Sequence, residues 1–317
     1  MKQNRVGRTD VEVTELGLGT AQLGDLYEKA DQQLADAVIE AAWASGIRYF
    51  DTAPHYGVGL SEKRTGRALA AYPRSEFALS TKVGRLLVPG PDGEPVRQLD
   101  YTAKGVLRSL DESRERLGLD RIDIALIHDP TDATPRDMEN AIQEAAPALA
   151  EARAAGTIGA FGVGTRDNAA LLRFVRETAV DVVMVAGRMT LLMTEAFDDL
   201  VPECAARGVS IFNSAIFNTG ILAKPRPTPT THFEYAAPTP EMLARVEQMA
   251  DASEAHGLTL PEAAMAFALA PATVAAVVVG ASKPSQIERS VAWATTPRDP
   301  AELAALWRDL DLDGFLR

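Results

Sequence analysis

Residues 102–130 read TAKGVLRSLDESRERLGLDRIDIALIHDP. Over 102–117 the apolar side chains, Val106, Leu107, Leu110 and Leu117 among them, recur at helical spacing and define one buried stripe. Gly118 follows the last turn, where a left-handed residue closes a helix at no steric cost. The run Ile122 to Ile127 is then almost continuously apolar, as in a strand covered on both faces, and it delivers His128, Asp129 and Pro130 at its end. A helix feeding such a strand is half of a parallel βαβ unit.

The same unit recurs along the chain. Apolar runs at 16–19, 47–50, 77–81, 122–127, 158–163, 180–185, 209–212 and 274–279 are eight candidate strands. Helix-like stretches at 32–45, 102–117, 138–155 and 241–256 lie between them, and Gly46, Gly156, Gly208 and Gly257 follow helical runs as Gly118 does. Ser61 and Asp167 read as N-caps. Eight such units in 317 residues predict a single (β/α)8 TIM barrel domain over 1–317, with residues 3–14 as a short N-terminal hairpin across its floor. Two connections exceed simple turns, 85–99 and the proline-rich 213–240. Both follow strands, which in a barrel places these long loops at the C-terminal face as lids or disordered segments.

Apolar residues make up 46% and charged residues 24% of the chain, enough material for a core that folds unaided. The formal net charge is −12 and no block of Lys and Arg forms a basic arm, which argues against nucleic acid and anionic membrane as partners. The N-terminus lacks an apolar signal region and no apolar run is long enough to span a bilayer, so the chain is expected in the cytoplasm. A single cysteine, Cys204, excludes an internal disulfide and reads as a small buried side chain. His55, His128, His232 and His256 follow no ligand spacing, and no metal is expected.

In a barrel, chemistry sits where strands end. DTAPHYG (51–57) follows the second strand, Ser80-Thr81-Lys82 closes the third and His128 the fourth, so Asp51, Tyr56, Lys82 and His128 meet at one rim. Tyrosine exchanges protons poorly near neutrality because its free pKa is about 10, and a lysine ammonium beside it favours the phenolate. An aspartate paired with that lysine fixes its position, and a histidine can orient the substrate oxygen. Such a set suits hydride chemistry, in which one group manages the proton and a cofactor carries the hydride. Singly, each residue has a plainer reading: Asp51 caps a turn, Tyr56 is a rim aromatic, Lys82 a solvated charge, His128 a strand-end hydrogen bonder. Their arrival together at consecutive strand ends favours the acid–base reading.

The same segments carry a resemblance. From GRT (7–9) and LGLGT (16–20), through FDTAPHYGVGLSEKRTGRAL (50–69), STK (80–82), SLDESRERLGLDRIDIALIHDP (109–130) and AGRMTLL (186–192), to VVVGASKPSQIERSV (277–291), the chain resembles the aldo-keto reductase family over nearly its whole length. The resemblance implies that the family's Asp, Tyr, Lys and His tetrad falls on Asp51, Tyr56, Lys82 and His128 without substitution. YGVGLSE, STKVGRLL, AGRMTLL and FNTGIL are similar to the bacterial aldose 1-dehydrogenase branch, with L-fucose and L-galactose dehydrogenases, and pyridoxal 4-dehydrogenase is a close cousin. The implied reaction is oxidation of a cyclic hemiacetal, such as L-fucose, L-galactose or D-arabinose, to a lactone. Tyr56 is then the general base and nicotinamide the hydride acceptor. Pyridoxal also closes into a cyclic hemiacetal.

By the same resemblance, nicotinamide lies near Gly19, Thr20 and Asp51, with Met189 in place of the family's stacking tyrosine. The loop from Asn213 through Gly220 to Leu222 covers the pyrophosphate, and Gly280, Ser282, Lys283, Gln286 and Arg289 meet the adenosine end. NADP-using relatives commonly carry a lysine where Gly280 stands and an arginine where Gln286 stands; both are missing, which favours NAD, while Lys283 leaves NADP possible. Gly164-Thr165 and Ala186 also replace the usual carboxamide contacts. Asp25, Tyr27, His55, Arg85, Asp129 and Arg188 can serve sugar hydroxyls or make ordinary turns and surface pairs.

Three alternatives stand beside this reading. A dinucleotide fingerprint of a doubly wound sheet is broken at Gln22 and Glu62, which hold the third glycine positions after Gly17-Leu18-Gly19 and Gly57-Val58-Gly59. An NADPH-dependent aldehyde or ketone reductase would use the same tetrad. A redox-sensing subunit, similar to potassium-channel-associated members of the superfamily, has less need of all four groups.

Overall fold

A computed structural model of the chain describes residues 1–317 apart from 27–28, 132–133, 229–230, 235 and 316–317. Its strands in chain order are β1 (Gln3–Arg5), β2 (Glu12–Thr14), β3 (Leu16–Gly19), β4 (Tyr49–Asp51), β5 (Ala78–Val83), β6 (Arg85–Pro89), β7 (Pro95–Leu99), β8 (Ile122–His128), β9 (Ile158–Thr165), β10 (Val182–Ala186), β11 (Ser210–Ser214) and β12 (Val274–Gly280). The eight apolar runs form a closed parallel barrel in the order β3-β4-β5-β8-β9-β10-β11-β12, and β12 returns to pair with β3, Gly280 opposite Gly19. This is the (β/α)8 architecture expected from the alternation.

β1 and β2 pair antiparallel and cover the N-terminal ends of the barrel strands: Asn4 Nδ2 donates to Ala275 O (2.9 Å) and the Gly7 N–H to Ser210 Oγ (2.7 Å). Val6 and Val13 plug the floor, packed with Tyr49, Ile124, Leu126 and Phe212 in the barrel interior. Gly17 leaves room for Tyr49 there, since a Cβ would lie 2.5 Å from its ring. A second, larger core fills the layer between strands and helices.

The helices are α1 (Gln32–Ala44), α2 (Leu60–Leu69), α3 (Ala103–Leu117), α4 (Pro135–Asn140), α5 (Ala146–Ala154), α6 (Asn168–Glu177), α7 (Leu200–Arg207), α8 (Pro240–Ala255), α9 (Leu260–Leu269), α10 (Pro284–Thr295) and α11 (Pro300–Asp309). Asp167 caps α6 by accepting from the Ala170 N–H, and Gly118 closes α3 at φ 66°. The helix predicted over 138–155 is interrupted by a π turn at Ala141–Ala145, where the Ala146 N–H reaches back to Ala141 O. Pro147 accounts for it, because its ring crowds the preceding turn and it has no N–H to give. Ser61 is not a cap: α2 begins after Gly59, and Ser61 is buried one residue into the helix. Cys204 is buried on α7, and burial pushes its thiol up to about 12.

The 85–99 connection is not a loop. It is the β6–β7 hairpin, with Arg85 opposite Leu99 and Pro89 opposite Pro95. All five β7 residues are exposed, so no alternation of apolar and polar residues marks the strand. In the described part of 213–240 there is a 3-10 turn at Asn218–Gly220 and an isolated bridge between Phe233 and Ala236. Glu234 accepts from Arg166 (2.6 Å) and pairs with Arg188, while Arg226 pairs with Glu247 (3.1 Å) and Glu254 (2.6 Å) of α8, fastening the segment to the rim. Among the described residues no helix is long and apolar enough to cross a membrane.

Candidate active site

The barrel register brings the four residues together. Asp51 pairs with Ser80 and Lys82 with Leu126, so the two-residue period of the strands turns Ser80, Lys82 and His128 inward at one mouth. Lys82 Nζ donates to Asp51 Oδ2 (2.7 Å) and to Thr52 O (3.0 Å), and Ser80 Oγ donates to Asp51 Oδ1 (2.6 Å). Both members of the ion pair are only 3% exposed. Burial alone would lower the Lys82 pKa, but the charge of Asp51 and the Tyr56 oxygen outweigh it and hold the ammonium above its ordinary value.

Lys82 Nζ lies 4.9 Å from the centre of the Tyr56 ring. Burial raises the Tyr56 phenol above its ordinary value and the negative charge of Asp51 adds to this, while Lys82 pulls the other way. The Tyr56 ring meets His128 edge-on at 5.9 Å. His128 is held well below the usual imidazole range by burial, then by the charges of Lys82, Arg85 and His55, so it is neutral at physiological pH. Its Nδ1 is buried without a hydrogen-bond partner. A hydrogen there would be an unsatisfied buried donor, which costs more than an unsatisfied acceptor site, so we assign the hydrogen to Nε2.

The Tyr56 turn is seated by close backbone contact. A Cβ on Gly24 would sit 2.6 Å from the Tyr56 carbonyl carbon, and Gly57 takes φ +60° against Gly24. Beneath the turn, Ser61 Oγ donates to Thr20 O (2.7 Å) and bonds to Thr52 Oγ1 (3.0 Å), a tertiary use of the hydroxyl that explains why it caps nothing. Glu62 is fully buried, taking Arg116 Nε (2.5 Å) and Thr81 Oγ1 (2.6 Å), and so locks α2 to α3 and to the strand that carries Lys82. No sequence pattern singled out that pair, because its partner lies 54 residues away.

On the other side of His128 stands a charged wall. Buried Arg85 donates to His128 O (3.3 Å) and Asp129 Oδ2 (3.1 Å) and contacts His55 Nδ1 (3.4 Å). Asp129 Oδ2 also lies 3.4 Å from His128 Nε2. His55, Arg85 and Asp129 therefore flank the tetrad. Asp25 and Arg188 are engaged elsewhere: Asp25 closes its own turn on the Ala30 N–H (2.8 Å) and Arg64 (2.7 Å), and Arg188 pairs with Glu234. Tyr27 lies outside the described residues.

The sequence profile of the Aldo/keto reductase family matches residues 15–308. The chain belongs to this family. The protein is 41% identical to D-threo-aldose 1-dehydrogenase of Pseudomonas sp over 313 residues, 94% of this chain and 93% of the relative. It is 36% identical to pyridoxal 4-dehydrogenase of Microbacterium luteolum, covering 92% of each, and 30% identical to L-galactose dehydrogenase of Arabidopsis thaliana, covering 92% of this chain and 87% of that one. Among solved structures, an aldo-keto reductase from Bacillus halodurans in its holo form matches with a TM-score of 0.78 at 24% identity, over 98% of this chain and 96% of that one. Glycerol dehydrogenase from Gluconobacter oxydans matches at 0.79 and 24%, over 97% and 94%. These two show the same fold. As a family member the protein is an oxidoreductase that acts on a small molecule with a nicotinamide cofactor.

The mouth of this aldo/keto reductase fits a dinucleotide. Gly19 and Gly280 face each other across β3 and β12 at the rim, and Gln22 Oε1, buried beside Gly280, has no protein partner. Gln22 was not a candidate from sequence, yet its amide fills the space over Gly280, 2.3 Å from where a Cβ would lie. At the head of α10, Gln286 Oε1 accepts from the N–H groups of Ser282 (2.7 Å) and Lys283 (3.2 Å). Lys283 and Arg289 are exposed, and Gly220 has φ +108° with open space beside it.

Three expected cofactor contacts of the reductase are placed differently. Met189 is fully buried in the outer core, so its thioether presents no face to a ring; its carbonyl instead accepts from Asn213 Nδ2 (2.8 Å). Leu222 is likewise a core residue. The Thr20 hydroxyl is used within the protein, on Asp51 O (3.0 Å) and Ser61 Oγ (2.8 Å), so its side chain positions Asp51. Asn218, missed from sequence, holds the covering loop by accepting from Thr190 Oγ1 (2.6 Å) and donating to Gly187 O (3.0 Å).

Proposed function

We propose that the protein is an NAD-dependent aldose 1-dehydrogenase of the cytoplasm, one barrel domain that oxidises the cyclic hemiacetal of an aldose to its lactone. The observation that carries this reading is the setting of Tyr56: the buried Lys82–Asp51 pair on one side and the polar wall of His55, Arg85 and Asp129 on the other, suited to a ligand with several hydroxyls. The 41% identity to a D-threo-aldose 1-dehydrogenase supports the same substrate class.

Tyr56 takes the proton of the anomeric hydroxyl. Lys82, anchored by Asp51, makes the phenolate accessible by its charge, and neutral His128 orients the same oxygen through its Nε2–H. A bound nicotinamide dinucleotide supplies the acceptor for the C1 hydride. With proton and hydride gone from the C1–O bond, the carbon is left as the lactone carbonyl.

Gln286 bears on the choice of dinucleotide. Its amide oxygen occupies N–H groups at the start of α10 that would otherwise attract a phosphate, and no side chain projects from Gly280. A 2′-phosphate of charge about −2 would lack both of its usual cationic partners, whereas the 2′-hydroxyl of NAD needs only ordinary hydrogen bonds. The test is dinucleotide reduction with NAD and NADP side by side on L-fucose, L-galactose, D-arabinose and pyridoxal. Activity with NAD on a sugar supports the proposal. Activity on pyridoxal alone favours the reading suggested by the 36% identical pyridoxal 4-dehydrogenase. Silence on all four, with NADPH consumed on simple aldehydes, makes the protein a carbonyl reductase.

A further inference from the structure

The wall beside the tetrad has more structure than a generic polar lining requires. Asp129 leaves β8 directly after His128, and its Oδ2 lies 3.4 Å from His128 Nε2, the atom that orients the reacting oxygen. Whatever oxygen Nε2 holds is therefore beside the Asp129 carboxylate. In a cyclic aldose C1 also carries the ring oxygen, which has no hydrogen to give to a carboxylate, so the nearest hydroxyl donor is the one on C2, the carbon adjacent to the one being oxidised.

The carboxylate is built into this place. Asp129 has φ 42°, a left-handed conformation that Asp tolerates better than most residues and that turns the chain sharply as it leaves β8. Its N–H donates to Gly164 O (2.9 Å), and the Tyr101 hydroxyl reaches both His128 O (2.7 Å) and Asp129 O (3.1 Å). Arg85, 9% exposed at its side chain, holds Oδ2 at 3.1 Å while its other nitrogens engage His128 O and the His55 ring. The Asp129 side chain keeps 25% of its surface. Arg85 is thus the buried platform and Asp129 the tip that reaches solvent beside the reacting oxygen.

We propose that Asp129 is the specificity-determining residue for the substrate hydroxyl next to the reacting carbon, accepting a hydrogen bond from the C2 hydroxyl of the aldose. An ionised carboxylate only accepts hydrogen bonds, and a hydroxyl donating to it forms a charge-assisted bond, roughly twice as strong as a neutral one. A substrate lacking that hydroxyl leaves the carboxylate stripped of water without a replacement, the circumstance in which a polar site discriminates most sharply. This assignment rests on the aldose reading given above.

The test compares D-arabinose with 2-deoxy-D-ribose, which has the same configuration at C3 and C4 and differs only in lacking the C2 hydroxyl. The full chain is assayed with NAD as wild type, Asp129→Asn and Asp129→Ala. Because the Asp129 charge also acts on Tyr56, either variant alters turnover on every substrate, and the ratio of kcat/KM between the two sugars cancels that common effect. Wild type should favour D-arabinose by about tenfold or more, and the preference should shrink about fivefold in Asp129→Asn and further in Asp129→Ala. A merely structural role would slow both sugars equally and leave the ratio unmoved. If L-fucose is the sugar oxidised, the same comparison is made between L-fucose and 2-deoxy-L-fucose. A wild-type ratio near or below unity, or a ratio unchanged in both variants, overturns the assignment while the aldose reading stands; a wild-type enzyme that oxidises none of D-arabinose, L-fucose and L-galactose overturns both.

Discussion

Removing the Lys82 charge tests the proton chemistry most directly. The ammonium lies 4.9 Å from the centre of the Tyr56 ring. At an effective dielectric of about 20, its attraction for a phenolate at that distance is about 332/(20 × 4.9), or roughly 3.4 kcal/mol. At 1.36 kcal/mol per tenfold, that is on the order of a three-hundredfold loss of oxidation rate near neutral pH. Methionine at 82 alone would strand the Asp51 carboxylate, only 3% exposed, at a cost of about 3–5 kcal/mol in stability. The informative protein is therefore Lys82→Met combined with Asp51→Asn, whose amide can still accept from Ser80. Its kcat/KM for NAD-linked oxidation is measured from neutral to alkaline pH beside the wild type, with thermal melts by circular dichroism to check the fold. Removing the Asp51 charge also relieves its repulsion of the phenolate, so the double variant should lose less than that three-hundredfold while remaining clearly slower than wild type, because the Lys82 effect is the larger of the two. The deficit should be largest at neutral pH and narrow as solvent hydroxide takes over the work of deprotonating Tyr56. A double variant with a native melt and wild-type rate at neutral pH refutes the role given to Lys82.

Further outcomes follow from the same geometry. Tyr56→Phe should keep dinucleotide binding, read by fluorescence, and lose turnover by about 10²–10⁴-fold. The Tyr56 phenol is raised and acts as a base, so the active form is the deprotonated one: log kcat/KM for oxidation should climb with pH into the alkaline range, and a flat or falling profile there would be inconsistent with it. His128, already neutral well below the usual imidazole range, should add no inflexion near neutrality. Glu62→Ala leaves Arg116, 13% exposed, without its buried partner and should cost about 3–5 kcal/mol in urea unfolding. Gln286→Arg frees the N–H groups at the start of α10 and adds a cation, and should raise the NADP to NAD ratio of kcat/KM by about tenfold or more; an unchanged ratio would separate Gln286 from cofactor choice.

Much of the fold was legible because burial in a parallel barrel is written locally. A strand covered on both faces must be apolar throughout, as Ile122–His128 is, and a glycine such as Gly118 marks where the helix before it stops. The hairpin at 85–99 is not legible for the complementary reason: β7 is exposed along its length, so nothing in its pattern reports pairing. The interruption at Ala141–Ala145 was written in the sequence, at Pro147, but a proline near a helix start reads equally well as an ordinary first-turn residue.

For the candidate site, the sequence by itself determined which residue types arrive at the strand ends, because Asp51, Lys82 and His128 each follow or close an apolar run within a few residues. What those residues touch was decided only by the tertiary structure. Thr20 and Ser61, 41 positions apart, spend their hydroxyls on one another and on the Asp51 backbone; Met189 turns into the core; Gln22 covers Gly280; and Arg85 aims Asp129 at His128 across 44 residues. Spacing along the chain records which way a side chain faces within its own element, through the fixed periods of helix and strand. It does not record which distant atom will meet that side chain, since that depends on the register of eight strands and the path of the loops between them, set by packing across the whole barrel.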